Sequence, residues 1–276
     1  MKRMALGIVA GCMALALGDS AAASDLTASQ IIEKSVAARG GMEAWRKIQT
    51  MVWLGHIETE HATTERLPFV LQMKRPDMTR FDIKANNQLS VRIFDGTHGW
   101  TINSVPMKRP VVQPYTAVEL HAAHDEDGID GPLMDYQARH LAVKLEGVDH
   151  VEGHKAYRLT ITFPSGASRH EWIDAKTFLE IKSDRESRNA FGMTGTVLVF
   201  YRNYQTIDGV KLPYVIESGS ETSKKRDRMV IDRILINPRL DDQAFTKPDL
   251  PVTTPRSMLR MITPPSPAGA VPDRKP

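Results

Sequence analysis

One cysteine, Cys12, is all that 276 residues contain. A single thiol forms no internal disulfide, so the fold must rest on a packed core. Charge bias is also scarce: 36 Lys and Arg face 33 Asp and Glu, a net of +3. That balance excludes the basic footprint of a nucleic-acid-binding protein. Long apolar runs are missing too. The longest is Met4 to Gly18, shorter than the ~20 residues a membrane-spanning helix needs. No Gly-x-Ser-x-Gly elbow and no glycine-rich phosphate loop occurs, so nucleophilic hydrolysis and nucleotide chemistry have no motif to stand on. No repeat of fixed period appears, and strands do not alternate with helices as in a doubly wound fold.

The chain that remains has three parts. Lys2 and Arg3 precede the apolar run, and Ala21-Ala22-Ala23 follows it, which reads as a secretory signal peptide over 1–23, cleaved after Ala23. A competing pattern lies inside: Val9-Ala10-Gly11-Cys12 fits a lipobox, which would leave a membrane-anchored lipoprotein through Cys12. At the far end, from Lys247 onward, stand 8 of the 17 prolines. Proline at this density removes ladder donors, so 249–276 reads as a mobile Pro-rich tail. Between them, 24–248 is expected to form one domain.

Leu26 to Arg39 has apolar residues near helical spacing, Gly40-Gly41 stops it, and MEAWRKI makes a second short helix. Short strands follow: VWLGHIETE, LPFVLQMK, RFDIKA, LSVRIF and GWTIN. The segment AVELHAAHDEDGIDGPLMDYQARH breaks the rhythm and supplies one or two short helices; strands then resume to DRMVIDRILI. Successive short strands with turn residues between them predict a mainly β (α+β) fold, an antiparallel sheet with hairpin connections. Within LPFVLQMKRP, Phe69, Leu71 and Met73 share one face. Arg75 continues that apolar stripe. A guanidinium there needs acceptors, and backbone carbonyls at the end of a covering helix would serve. An ordinary edge-strand charge is the other reading of Arg75.

Met73-Lys74-Arg75-Pro76, then Phe81, then Asp95-Gly96-Thr97-His98-Gly99-Trp100 resembles the pattern of the periplasmic lipoprotein carrier and receptor superfamily, LolA and LolB. GGMEAWRKIQTMVWLGHIE, DGIDGPLMDY, and YRNYQTIDGVKLPYVIE followed by NPRLDDQAF are similar to the wider group of periplasmic proteins related to it. The resemblance implies a strongly curved antiparallel sheet forming an incomplete barrel, with short helices as a lid over a cavity for acyl chains. It implies an apolar lining from Trp53, Phe69, Leu71, Met73 and Phe81. Val91, Ile93, Trp100, Met134 and Trp172 complete that lining. Arg75 becomes the latch between sheet and lid. The function implied is a periplasmic carrier for a lipid or a lipoprotein acyl chain, in outer-membrane lipoprotein sorting or lipid transfer, with an inner- or outer-membrane donor or acceptor protein as partner.

Two further function classes stay open at this level. A lipid-sensing regulatory module of a periplasmic signalling system uses the same half-barrel. A metal-dependent enzyme would draw on His121-x-x-His124-Asp125 or on His150 and His154. Neither pair matches a strict metal signature, and Gly153 marks the second as a turn, so the reading is a binding protein with no cofactor, no metal and no catalytic residue. Glu171 beside His170 makes no acid–base pair, because strand neighbours point to opposite faces. The leader carries the first expected outcome: intact mass of the fractionated protein should show a chain beginning at Ser24. A diacylated product beginning at Cys12 would make it a membrane-anchored receptor instead.

Overall fold

The computed structural model describes residues 26–60, 66–85, 88–103, 110–125, 128–188 and 194–249. The leader, Cys12 and the proline-rich segment beyond Asp249 lie outside the described residues. Two helices open the body, α1 (Ala28–Ala38) and α2 (Met42–Arg46). Six strands follow: β1 (Thr50–Glu58), β2 (Arg66–Lys74), β3 (Met78–Ala85), β4 (Gln88–Phe94), β5 (Gly99–Asn103) and β6 (Val111–Pro114). Helix α3 (Ala117–Asp125) comes next, then β7 (Ala142–Val151), β8 (His154–Thr162), β9 (Ser168–Asp174), β10 (Glu180–Arg188), β11 (Thr194–Ile207), β12 (Val210–Ser220) and β13 (Asp227–Ile236). A 3-10 turn, Asp242–Phe245, closes the described chain.

All thirteen strands form one antiparallel sheet, ordered β6-β5-β4-β3-β2-β1-β13-β12-β11-β10-β9-β8-β7. The expected antiparallel, hairpin-connected class is what the structure shows. The sheet is open: β6 and β7 are its two edges and do not pair with each other. Each half is a meander, and the halves meet where the first strand pairs with the last, Met51 opposite Ile236. The only way from β6 to β7 is across the whole sheet. Of the described residues between them, 115–125, with α3 among them, and 128–141 make that crossing over one face, here called the front. Ile129, Leu133, Met134 and Leu141 from the crossing are buried against it.

Helices α1 and α2 sit on the same front face. Thr27 caps α1 reciprocally with Gln30: Gln30 N donates to the Thr27 hydroxyl at 3.3 Å, and Thr27 N donates to Gln30 Oε1 at 2.9 Å. Ile31 and Ile32 then pack on Leu159, Ile161 and Ile173 of β8 and β9. Trp45 of α2 is fully buried against β1, β2, β12 and β13, with Met51, Met73, Leu212 and Ile234 in the same cluster. Its indole N–H donates to Arg39 O at 3.0 Å, and the Arg39 guanidinium lies 4.2 Å from the ring centroid. The back face carries its own clusters, Val91–Ile93–Ile102 in one half and Ala156–Trp172–Phe200 in the other. The 3-10 turn docks behind β3, where Ala244 O accepts from Arg80 Nη1 at 2.9 Å and Phe245 is buried.

The turn between α1 and α2 is fitted to the tip of the β11–β12 hairpin. Gly40 has φ +113, and a Cβ there would stand 2.2 Å from Gly209 O. Lys211 N also donates to Arg39 O at 2.9 Å, so backbone meets backbone with no room for a side chain. Gly41 has φ +84 but open space around it. Gly40→Ala should therefore cost on the order of 1–3 kcal/mol of stability, more than Gly41→Ala, which carries only conformational strain. Urea unfolding of the two variants side by side measures the difference.

Candidate functional site

Register decides which side chains share the front face. Met51 pairs with Met73, Trp53 with Leu71, and Leu71 with Phe81. These residues and Phe69 therefore project to the side that α2 covers. Gly55 lies opposite Phe69, and the Phe69 ring occupies the space a side chain at Gly55 would take, 2.9 Å from its would-be Cβ. Phe69 and Phe81 meet edge to face, centroids 5.7 Å apart. Met134 reaches the same cluster from the crossing segment.

The apolar face has two zones. Under α2 and the crossing, Trp45, Met51, Phe69, Met73 and Met134 are closed off from solvent. Between and beyond them on the same face, Trp53, Ile57, Leu71, Phe81 and Ile83 are only half buried, and Tyr214, Ile216 and Met229 continue the stripe across β12 and β13. The result is an apolar trough along one face of the sheet, part of it fully buried and part only partly covered.

Arg75 stands at the closed end. Its Nε donates to Ile48 O at 2.7 Å, just past α2, and its Nη2 to Trp45 O at 3.2 Å, in the last turn of α2. Nη1 and Nη2 also grip both oxygens of Asp130, each at 2.5 Å. Asp130 belongs to the crossing, and its backbone carbonyl accepts from Arg39 Nη1 at 3.0 Å. The bidentate bond to Asp130 pushes the Arg75 pKa further up, so the guanidinium stays charged at any ordinary pH. One side chain thus ties β2, α2 and the crossing together. Arg75 and Asp130 remain about a quarter exposed, 25% and 26%.

The other expected lining residues lie elsewhere. Phe81 pairs with Arg92, so Val91 and Ile93 face the back of the sheet. Trp100, opposite Ile93, faces the back with them. Trp172 is also on the back, its indole N–H donating to Asp149 Oδ2 at 2.8 Å. The front positions of β4 hold Arg92 and Phe94, which meet α3: Arg92 pairs with Glu119 at 3.3 Å, and the Phe94 ring lies 5.1 Å from His124. His154 bonds Asp174, and His170 bonds Asp184 on the face opposite Glu171. Among the described residues no three His, Cys, Asp or Glu side chains converge as metal ligands.

Asp130, Ile83, Tyr214, Ile216 and Met229 escaped the sequence reading as site residues. Tyr214 and Ile216 were visible as alternation in KLPYVIE, and Asp130 stood in the quoted DGIDG stretch. Nothing in the sequence pointed from that aspartate to Arg75. Arg75→Leu removes the guanidinium's bonds to Trp45 O, Ile48 O and the Asp130 carboxylate. Bonds to charged groups are worth about 1.5–3 kcal/mol each, so loss of one net bond should speed hydrogen exchange at residues 42–48 roughly tenfold or more. Amides of β8 and β9 should exchange as in the wild type.

Neither a family model nor a curated protein matches the chain in sequence. Solved structures do match its fold. A DUF1329 family protein from Desulfovibrio piger aligns with TM-score 0.51 at 12% identity, over 79% of this chain and 96% of that one. A LolA superfamily protein from Nitrosomonas europaea aligns with TM-score 0.50 at 16% identity, over 80% and 98%. An outer membrane lipoprotein-sorting protein domain from Vibrio parahaemolyticus gives TM-score 0.50 at 12% identity, over 78% and 94%. Among the described residues no helix is long and apolar enough to cross a membrane. An open antiparallel sheet with helices packed on one apolar face is thus the fold this chain shares with LolA-like proteins.

Proposed function

We propose that the chain is a periplasmic binding or carrier protein for a lipid or a lipoprotein acyl chain, held along the front-face trough. The observation that carries this reading is the trough itself: a continuous apolar stripe along one sheet face, in which fully buried side chains are followed and interleaved by ones that stay partly open to solvent. Trp53, Ile57, Leu71, Phe81, Ile83 and Ile216 each keep part of their surface open to solvent, and an apolar ligand that covers that surface is favoured. Each buried CH₂ gains about 0.8 kcal/mol, so a ~16-carbon chain offers roughly 10 kcal/mol before ordering costs. Polar contacts at an exposed surface do not reach that sum.

On this reading the sheet bends around its apolar face as a half-barrel, and α1, α2 and the crossing form its lid. Arg75 is the latch. Its bonds are few and polar, so the lid can yield as an acyl chain advances from the partly covered zone toward Met73 and Met134. The likeness to a LolA superfamily protein and to a lipoprotein-sorting domain supports transport between membranes, with a donor or acceptor protein as partner. The chemistry needed is burial and release, which asks for no catalytic group.

The test is uptake of a fluorescent fatty acid or phospholipid by purified protein, with displacement by extracted natural lipid. Leu71→Asp places a carboxylate in mid-trough, where its desolvation opposes the ligand. Affinity should fall at least tenfold, given a cost of about 1–3 kcal/mol for an uncompensated polar group. Absence of uptake by the wild type, or uptake indifferent to Leu71→Asp, would remove the trough from the function.

A further inference from the structure

Away from the trough, the β7–β8 turn, the β9–β10 loop and β11 enclose a cavity of about 880 Å³. That is ample for a small ligand. Its wall is apolar and aromatic, from Tyr157, Leu179, Ile181 and Tyr201, while His154, Lys155 and Lys176 stand among its polar lining.

The ionic valences at the cavity are unequally spent. Glu152 is held by Arg202 Nη2 at 2.7 Å and Arg226 Nη1 at 3.0 Å. Asp174 accepts from Lys176 N at 3.0 Å, Thr177 N at 2.7 Å and the Thr177 hydroxyl at 2.9 Å, and meets His154 Nδ1 at 3.1 Å. Burial works against ionisation of both acids, yet these donors hold their pKa values below the ordinary range, so both carboxylates are ionised and fully engaged. Lys155 and Lys176 are exposed and form no ion pair among the described residues. The cavity therefore offers two free cations and no free anion at its polar side.

Its inner side has the opposite character. The Tyr201 hydroxyl is bonded to Ser183 Oγ at 3.0 Å. Burial pushes that phenol well above its usual pKa, and the nearby Glu180 and Glu171 push the same way. The loop itself is held under strain: Phe178 has φ +57, a region bulky side chains avoid, and its ring stacks on Tyr157 at 6.1 Å beneath Lys34.

We propose that this cavity is a second binding site, for a single-chain amphiphile bearing a phosphate or carboxylate head. The head lies between Lys155 and Lys176, and the apolar part lies against Tyr157, Leu179, Ile181 and Tyr201. The site stands on its own residues and does not depend on what the trough carries.

Calorimetric titration with decyl phosphate, decyl glucoside and inorganic phosphate separates the terms, each amphiphile kept below its micelle concentration. Decyl phosphate should bind at least about tenfold tighter than either of the others, because only it satisfies both ends of the cavity. Lys155→Gln/Lys176→Gln should weaken decyl phosphate by about tenfold and abolish its salt dependence, while uptake of a fluorescent fatty acid in the trough is unchanged. Equal binding of the glucoside would overturn the anionic head, and equal binding of inorganic phosphate would overturn the amphiphile. Decyl phosphate that binds the double variant as tightly as the wild type, or that displaces the trough probe in proportion, assigns it to the trough and removes the second site.

Discussion

The guanidinium of Arg75 is the constraint on which the front of this molecule depends. An antiparallel sheet of two meanders leaves its helices attached only at their chain ends. Something must fix them to the sheet at a defined height. Apolar packing of Trp45 supplies adhesion without direction. Arg75 supplies direction, because a planar fork meets the Asp130 carboxylate and two carbonyls at the C-terminal end of α2, Trp45 O within it and Ile48 O just beyond, in only one arrangement. The strand places it there by simple alternation with Phe69, Leu71 and Met73. Asp130 arrives from the crossing, the one connection the topology forces over the face. The position of the helices over the sheet and the partial exposure of the trough both follow from this junction.

Much of the architecture was legible in the sequence, and the reason is local. Strand alternation over Phe69–Arg75 needs only the period of an extended chain. The Gly40-Gly41 stop after α1 and the turn at Asp95-Gly96 likewise depend on a few neighbouring residues. Asp95 N donates to His98 O at 3.0 Å, and Gly96 takes φ +95.

What alternation does not reveal is how one strand's faces map onto the next. That depends on register, which is set by every intervening turn. A single-residue difference puts Val91 and Ile93 opposite Asp82 and Arg80, on the back, and brings Arg92 to the front. The same holds for β9, where Trp172 goes to the back and Glu171 is buried on the front beside Arg169. Large apolar side chains were assigned to one lining because size is visible and face is not. The crossing was harder still, since its ion pair joins residues 55 positions apart with no pattern to link them.

The central strand pair has a consequence for the order of events in making this protein. β1 and β13 are neighbours in the middle of the sheet, yet Met51 waits for Ile236. Until the last strand has emerged, the first meander has a bare inner edge and half a core. Loop closure over so long a span is slow, and the N-terminal meander cannot become a stable body in advance. The middle of the sheet is therefore completed last, once nearly the whole chain is available.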